Sequence, residues 1–236
     1  MEVEARTHPG MVRKGNEDAY LARVELGLFA VADGLGGHLA GEVASWLAIR
    51  TVEEWLSRCP SGRPLEALKE AILEANRQVF LEGRTSSDKR GMGTTLTVAW
   101  LRDSRLYLGH VGDSSAYHFR EGHLRKLTRD HSLVEEISRL GGMTPEAARF
   151  HPQRHILTRA VGTEPEVAVD TLVLPLEAGD LLLLCTDGLS SIVSASELEG
   201  VLRATTRLGP SLDQLLNLAL TRGAPDNVTA VLVRYE

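Results

Sequence analysis

Hydrophobic and polar positions along this chain follow two periods. Residues 2–9 set Val3 and Ala5 between charged residues, the two-residue step of a half-buried strand. Residues 19–24 predict a second strand, paired across a short turn at Gly27 with a third at Leu28–Ala32. That third segment is apolar at five consecutive positions, which predicts a strand buried on both faces. The period then lengthens. Leu39, Val43, Trp46, Leu47 and Val52 recur at helical steps, as do Leu65, Leu68, Ile72, Ala75 and Val79 after Pro64, a residue suited to a helix start. Cys59-Pro60-Ser61-Gly62 is the turn between the two helices.

Strand patterning returns at 96–101, 106–111 and 116–119, joined by hairpin-like connections at 102–104 and 120–122. This block reads as an antiparallel meander. Ser132 and Glu135 have the spacing of a capping box for a short helix that stops at Gly141-Gly142. Residues 143–156 carry no sheet pattern and crowd His151, Arg154 and His155 at their end; they read as an exposed flap near the site, or equally as a plain surface loop. Further strands are predicted at 167–174, 181–185 and 228–233. Between the last two, Ser194 and Glu197 offer a second capping box, and Leu212, Leu215, Leu216 and Ala219 mark a final amphipathic helix closed by Gly223.

Composition narrows the class. The 236 residues suit one large domain or two small ones, and 43% hydrophobic content supports a substantial core. The formal net charge of -6 disfavours a nucleic-acid partner. The two cysteines, Cys59 and Cys185, lie far apart in unlike settings, which fits a reducing compartment. No signal peptide is evident, and no apolar run approaches the roughly 18 residues of a membrane span.

The chemistry gathers at the ends of the apolar runs. Leu28–Ala32 stops in Asp33-Gly34-Leu35-Gly36-Gly37-His38. The same device, apolar strand then glycine and aspartate, recurs at Val111-Gly112-Asp113-Ser114 and at Cys185-Thr186-Asp187-Gly188. Asp226 precedes the last strand. An aspartate at the mouth of a buried strand is expensive unless a cation or hydrogen-bond donors satisfy it. Should those mouths face one end of a sandwich, four carboxylates converge, and they cannot all stay ionised without cations. Oxygen-only ligands favour hard ions such as magnesium or manganese, and a carboxylate bridging two such ions suits in-line attack on phosphorus. The alternative is four structural turns. Likewise, the loop Arg13-Lys14-Gly15-Asn16-Glu17-Asp18 is either a solvated turn or a pair of acids holding waters around a cation while Arg13 grips an anion.

Taken together, these stretches resemble the metal-dependent serine/threonine protein phosphatases of type 2C in their compact bacterial form. The matching segments are 13–18, 31–38, Gly93-Thr94-Thr95, 111–114, Leu157-Thr158-Arg159-Ala160-Val161-Gly162, 186–188 and Asp226-Asn227-Val228-Thr229, in the family's order. The resemblance implies an α+β fold, a four-layer α/β/β/α sandwich of two mainly antiparallel sheets flanked by helices. It implies one phosphatase catalytic domain over 1–236, either stand-alone or excised from a longer protein. It further implies that Asp33 bridges two Mn2+ or Mg2+ ions, with the Gly34 carbonyl serving the first and Asp187 and Asp226 the second. Glu17 and Asp18 would hold metal-bound waters, and Asp113 with Asp187 a third, weaker ion. Arg13 would bind the substrate phosphate. His38 would protonate the leaving alkoxide or simply begin its helix; eukaryotic members carry a histidine directly after the Asp-Gly, where this chain has Leu35.

The expected activity is hydrolysis of phosphoserine and phosphothreonine by attack of a metal-bridging water. Expected partners are phosphoproteins made by a serine/threonine kinase in cytoplasmic signalling, with no nucleic acid, no membrane and a monomeric enzyme. A non-catalytic phosphoprotein-binding module of the same fold, or a phosphatase of small phosphomonoesters, are the competing readings.

Overall fold

The computed structural model describes the chain except residues 37, 60, 61, 145, 146 and 148–150 and the side chains of residues 38 and 39. Its strands form two sheets. In the first, β1 (Glu2–His8) pairs with β11 (Val228–Arg234), followed by β10 (Leu181–Cys185), β7 (Ser115–Arg120) and β8 (His123–Lys126). In the second, β2 (Asp18–Arg23) lies beside β3 (Leu28–Leu35), then β5 (Leu96–Arg102), β6 (Arg105–Val111) and β9 (Asp170–Pro175), with the short β4 (Gly93–Thr94) pairing the end of β3. Every pairing is antiparallel.

The unbroken apolar runs follow from burial on both faces. Phe29 and Val31 of β3 meet Leu182 and Leu184 of β10 and Val231 and Val233 of β11 between the sheets. The alternate residues Leu28, Ala30 and Ala32 pack instead on α1 (His38–Ser57) and α2 (Pro64–Glu82). On the other side, Leu181, Leu183 and Cys185 pack on α5 (Ala195–Arg203) and α6 (Leu208–Thr221). The outcome is the four-layer α/β/β/α sandwich. Two short helices complete the set described here, α3 (Leu133–Arg139) and α4 (Asp187–Ser190).

Four details differ from the sequence reading. The meander breaks at Gly112-Asp113-Ser114, because β7 leaves β6 and pairs with β10 in the other sheet. Local patterning shows a strand but not its partner. The edge strand β8 escapes the pattern altogether, since Leu124 is its one apolar residue. In α1 the buried stripe is Ala40, Ala44, Ala48, Ile49, Val52 and Leu56, whereas Trp46 is 53% exposed. Alanines let that helix sit close to the sheet, and Trp46 instead stacks under the Arg50 guanidinium at 4.9 Å. Finally, the capping box is complete at Ser194–Glu197, but at Ser132 the Glu135 carboxylate faces Arg129 at 3.2 Å, so only the Ser132 half is made.

One buried charge braces the β9–β10 corner. Asp180 is 2% exposed and accepts from Arg120 Nε at 2.7 Å and Nη2 at 2.5 Å and from the Glu177 amide at 2.9 Å, with His118 Nε2 at 3.0 Å. Burial alone would raise the Asp180 pKa, but Arg120, the Glu177 amide and His118 hold it below the usual carboxylate value. A depressed folded-state pKa contributes stability above the unfolded value, about 4, and that contribution is lost as pH falls through the folded value. Asp180→Ala is therefore expected to cost about 1–3 kcal/mol at neutral pH, because it removes the charge-assisted hydrogen bonds from Arg120 and the bond from the Glu177 amide. The melting-temperature gap to wild type should narrow below about pH 4; a gap constant from pH 7 to 3 would contradict this.

Candidate active site

The last residues of β3 carry the centre. Asp33 stands opposite Asp18 in the β2–β3 register, well inside the strand and not at its end. The strand continues to Leu35 because Gly34 and Leu35 pair with Thr94 and Gly93. The Asp33 backbone is gripped from three points: its amide donates to Thr95 Oγ1 at 2.9 Å, and its carbonyl accepts from the Thr95 amide at 2.9 Å and Thr94 Oγ1 at 2.8 Å. Thr95 Oγ1 in turn lies 2.6 Å from Ser114 Oγ, linking Asp33 to the segment that bears Asp113. Gly34 must be glycine, since a Cβ there would lie 2.2 Å from the Gly41 carbonyl oxygen of α1.

The other carboxylates arrive from the first sheet. Asp113 lies in the crossover between β6 and β7. The segment is held from behind by His131, whose Nδ1 accepts from the Gly112 amide at 3.0 Å and whose own amide donates to the Gly112 carbonyl at 2.8 Å. Asp187 opens α4, just beyond β10. Asp226 precedes β11 and accepts from Arg13 Nη2 at 2.8 Å. Asn227 ties this region together. Its Oδ1 accepts from the Glu17 amide at 2.8 Å, while its Nδ2 donates to the Pro9 and Gly15 carbonyls, both at 2.9 Å. The loop carrying Arg13 and Glu17 is thereby fastened to the residue after Asp226.

A cavity of about 660 Å³ joins these groups, with Arg13, Glu17, Asp33, Gly34, Asp113, Asp187 and Asp226 in its wall. Asp18 stands behind them, its Oδ2 accepting from Thr186 Oγ1 at 2.8 Å. The His38 side chain lies outside the described residues, so the structure places every proposed site residue but that one. From the 143–156 segment, Arg154 and His155 reach the cavity, and His155 Nδ1 is 3.7 Å from Asp187 Oδ2.

The electrostatics record the convergence. Burial first, then the charges of Asp18, Asp187, Asp113 and Asp226, push the Asp33 carboxyl well above its ordinary range. Burial and the charges of Asp187 and Asp130 do the same to Asp113. Asp18 is raised to about 7, chiefly by burial, against the hydrogen bonds from Thr229 and Thr186. Asp18 Oδ1 and Asp187 Oδ1 are buried without a hydrogen-bond partner among the described residues. Among the described residues no three acidic, histidine or cysteine side chains close up as a finished metal cage. Crowded, mutually repelling carboxylates with unused oxygens and no sulfur ligand nevertheless fit hard divalent cations, which neutralise them and take oxygen donors.

Thr94, Thr95, Ser114, Thr186, Asn227 and His131 are the positioning residues to which sequence reading assigned no role. Most stand in the quoted motifs; the usable signal was hydroxyl or amide residues directly flanking the acids.

Comparison with known proteins agrees with this geometry. The family profile "Protein phosphatase 2C" matches residues 12–233. The serine/threonine phosphatase Stp of Listeria welshimeri is 39% identical over 240 residues, covering 99% of this chain and 95% of that protein. The crystal structure of the Mycobacterium tuberculosis serine/threonine phosphatase PstP/Ppp superposes with a TM-score of 0.93 at 39% identity, covering 100% of this chain and 98% of that one. The catalytic domain of PstP in complex with two manganese ions superposes at 0.89, with 38% identity, covering 98% and 96%.

Asn227→Ala should release the Arg13–Glu17 loop. The lost bonds leave one buried amide and two carbonyls unpaired, costing about 2 kcal/mol. Backbone amides of residues 10–17 should exchange hydrogen faster in the variant, and unchanged protection there would refute the fastening role.

Proposed function

The chain belongs to the protein phosphatase 2C family and is a metal-dependent serine/threonine protein phosphatase, and we propose that its cavity carboxylates hold the metals while Arg13 receives the phosphate. The single observation that carries this reading is the convergence of Asp33, Asp113, Asp187 and Asp226, from both sheets, on one cavity beside Arg13. Asp33 and the Gly34 carbonyl, with Asp187 and Asp226, would hold two manganese or magnesium ions, and Asp113 with Asp187 a weaker third. Bound there, such ions stabilise charge on phosphoryl oxygens and lower the pKa of water.

The remaining work falls to the chain's own groups. Arg13 is half exposed at the rim and gives one Nη2 bond to Asp226, so its other guanidinium donors can take phosphate oxygens. Glu17 and Asp18 would orient water from the β2 side. Fixed in place by Thr94, Thr95 and the β2–β3 ladder, Asp33 cannot swing away from its neighbours. The proton for the departing serine or threonine oxygen would come from His38, on the support of its sequence position alone. Of the flap expected at 143–156, residues 145, 146 and 148–150 lie outside the described residues; the support for a flap is that Arg154 and His155 line the cavity.

Two further points concern setting. Cys59 and Cys185 are both free thiols, which suits the cytoplasm and a signalling role opposite a serine/threonine kinase. Among the described residues, no helix is long and apolar enough to cross a membrane.

Hydrolysis of both p-nitrophenyl phosphate and a phosphoserine peptide should require added Mn2+ or Mg2+ and vanish in EDTA. Asp33→Asn should retain under about a tenth of wild-type turnover at saturating Mn2+, given the several kcal/mol that metals supply. Equal activity in EDTA would overturn the assignment. A marked preference for small phosphomonoesters over phosphopeptides would redirect the substrate class.

Asp113→Ala separates a third-metal ligand from a turn acceptor. As a ligand, its loss should lower turnover and shift the Mn2+ concentration for half-maximal rate, while the melting temperature in EDTA holds or rises through relieved repulsion. A structural acceptor would instead cost about 1–3 kcal/mol of stability and leave turnover intact at saturating metal.

A further inference from the structure

A second cavity, of about 320 Å³, opens off the carboxylate cavity on the side of α3 and α5. The two share Asp113, Asp187, Arg154, His155 and Ser191 as common wall, so a ligand in one is within one or two residues of chain from the other. We propose that this second cavity is a specificity subsite that seats an uncharged, bulky side chain flanking the phosphorylated residue of a phosphoprotein. The proposal rests on the phosphatase reading of the adjoining centre.

The lining argues for that occupant. Away from the shared wall, the apolar surface comes from Tyr117, Val134 and Ala195. The charges there are already matched: Lys126 Nζ donates to Asp130 Oδ1 at 2.7 Å, and Glu135 receives Arg129 Nε at 3.2 Å. A charged side chain entering would lose hydration and find these partners engaged, which is unfavourable. An apolar body instead removes surface from water on both sides. Ser138 lines the same space, and its hydroxyl is buried without a hydrogen-bond partner among the described residues. That hydroxyl gives the subsite a polar contact for a side-chain amide or a peptide carbonyl, the combination of apolar wall and sparse polar groups common in ligand pockets.

Ala195 sits at the exposed start of α5 and lines this cavity but not the carboxylate one. Ala195→Trp should therefore fill the subsite from its rim. Wild-type enzyme with Mn2+ is to be compared on p-nitrophenyl phosphate and on phosphoserine peptides that differ only in carrying Leu, Asp or Lys beside the phosphoserine. The wild type should favour the Leu peptide over the Asp and Lys peptides by about tenfold or more in kcat/KM, the scale of pocket discrimination. In Ala195→Trp that preference should disappear through a raised KM for the Leu peptide, while kcat/KM for p-nitrophenyl phosphate stays within about twofold. Equal wild-type use of the three peptides, or a preference that survives Ala195→Trp, overturns the subsite. Should the tryptophan also depress p-nitrophenyl phosphate turnover, Ala195→Leu is read in its place, and parallel loss on both substrates again overturns it. Failure of the phosphatase reading would look different, as metal-independent or absent turnover of p-nitrophenyl phosphate by the wild type.

Discussion

The structure depends on keeping mutually repelling carboxylates together. Burial first, and then the charges of Asp18, Asp187, Asp113 and Asp226, move the Asp33 carboxyl well above its ordinary range. No pair of these groups would choose such proximity in water. The sandwich imposes it by rigid means: apolar strands buried on both faces, whose positions leave each acid no room to retreat. The Thr94 and Thr95 hydroxyls then fix the backbone beneath Asp33, and the Asn227 backbone amide donates to the Asp226 carboxylate. The cost in electrostatic energy is concentrated at the site, and it is a cost that divalent cations are suited to offset.

That division of labour explains what was legible in the sequence. Core runs such as Leu28–Ala32 and Leu181–Cys185 announce themselves, because two-sided burial demands an apolar residue at every step. The acids stand out because they interrupt those runs. The switch of β7 into the other sheet was not visible, since Ala116 looks the same whichever strand it faces. Nor was the phase of α1, where small alanines, not the larger Trp46, define the inward face. The supporting residues were hidden for a different reason. Thr95 and Asn227 work through hydrogen bonds to backbone that is remote in sequence, and composition carries no trace of such bonds.

The same frame accounts for the two cavities having unlike characters. Where β6 crosses to β7, Asp113 belongs to the wall of both. On one side lie acids and Arg13, suited to a small, highly charged group; on the other lie Tyr117 and Val134, suited to an apolar body. A phosphorylated side chain and its neighbour differ in the same way.

The order of strands bears on how the molecule is made. β11, near the end of the chain, lies between β1, near its beginning, and β10, with Glu2 opposite Arg234 across the first pair. While residues 226–234 remain in the ribosomal tunnel, β1 has no neighbour on its sheet and Asp226 is absent from the cavity. Second-sheet strands β2, β3, β5 and β6 can assemble earlier, since they are close in sequence. A nascent chain therefore holds a half-built sandwich with an incomplete acid cluster until those last residues emerge. Long-range pairing of this kind is slow to form. It also leaves the acid cluster without Asp226, and β1 without its partner, until residue 234 has emerged, so a polypeptide stalled before that point lacks both.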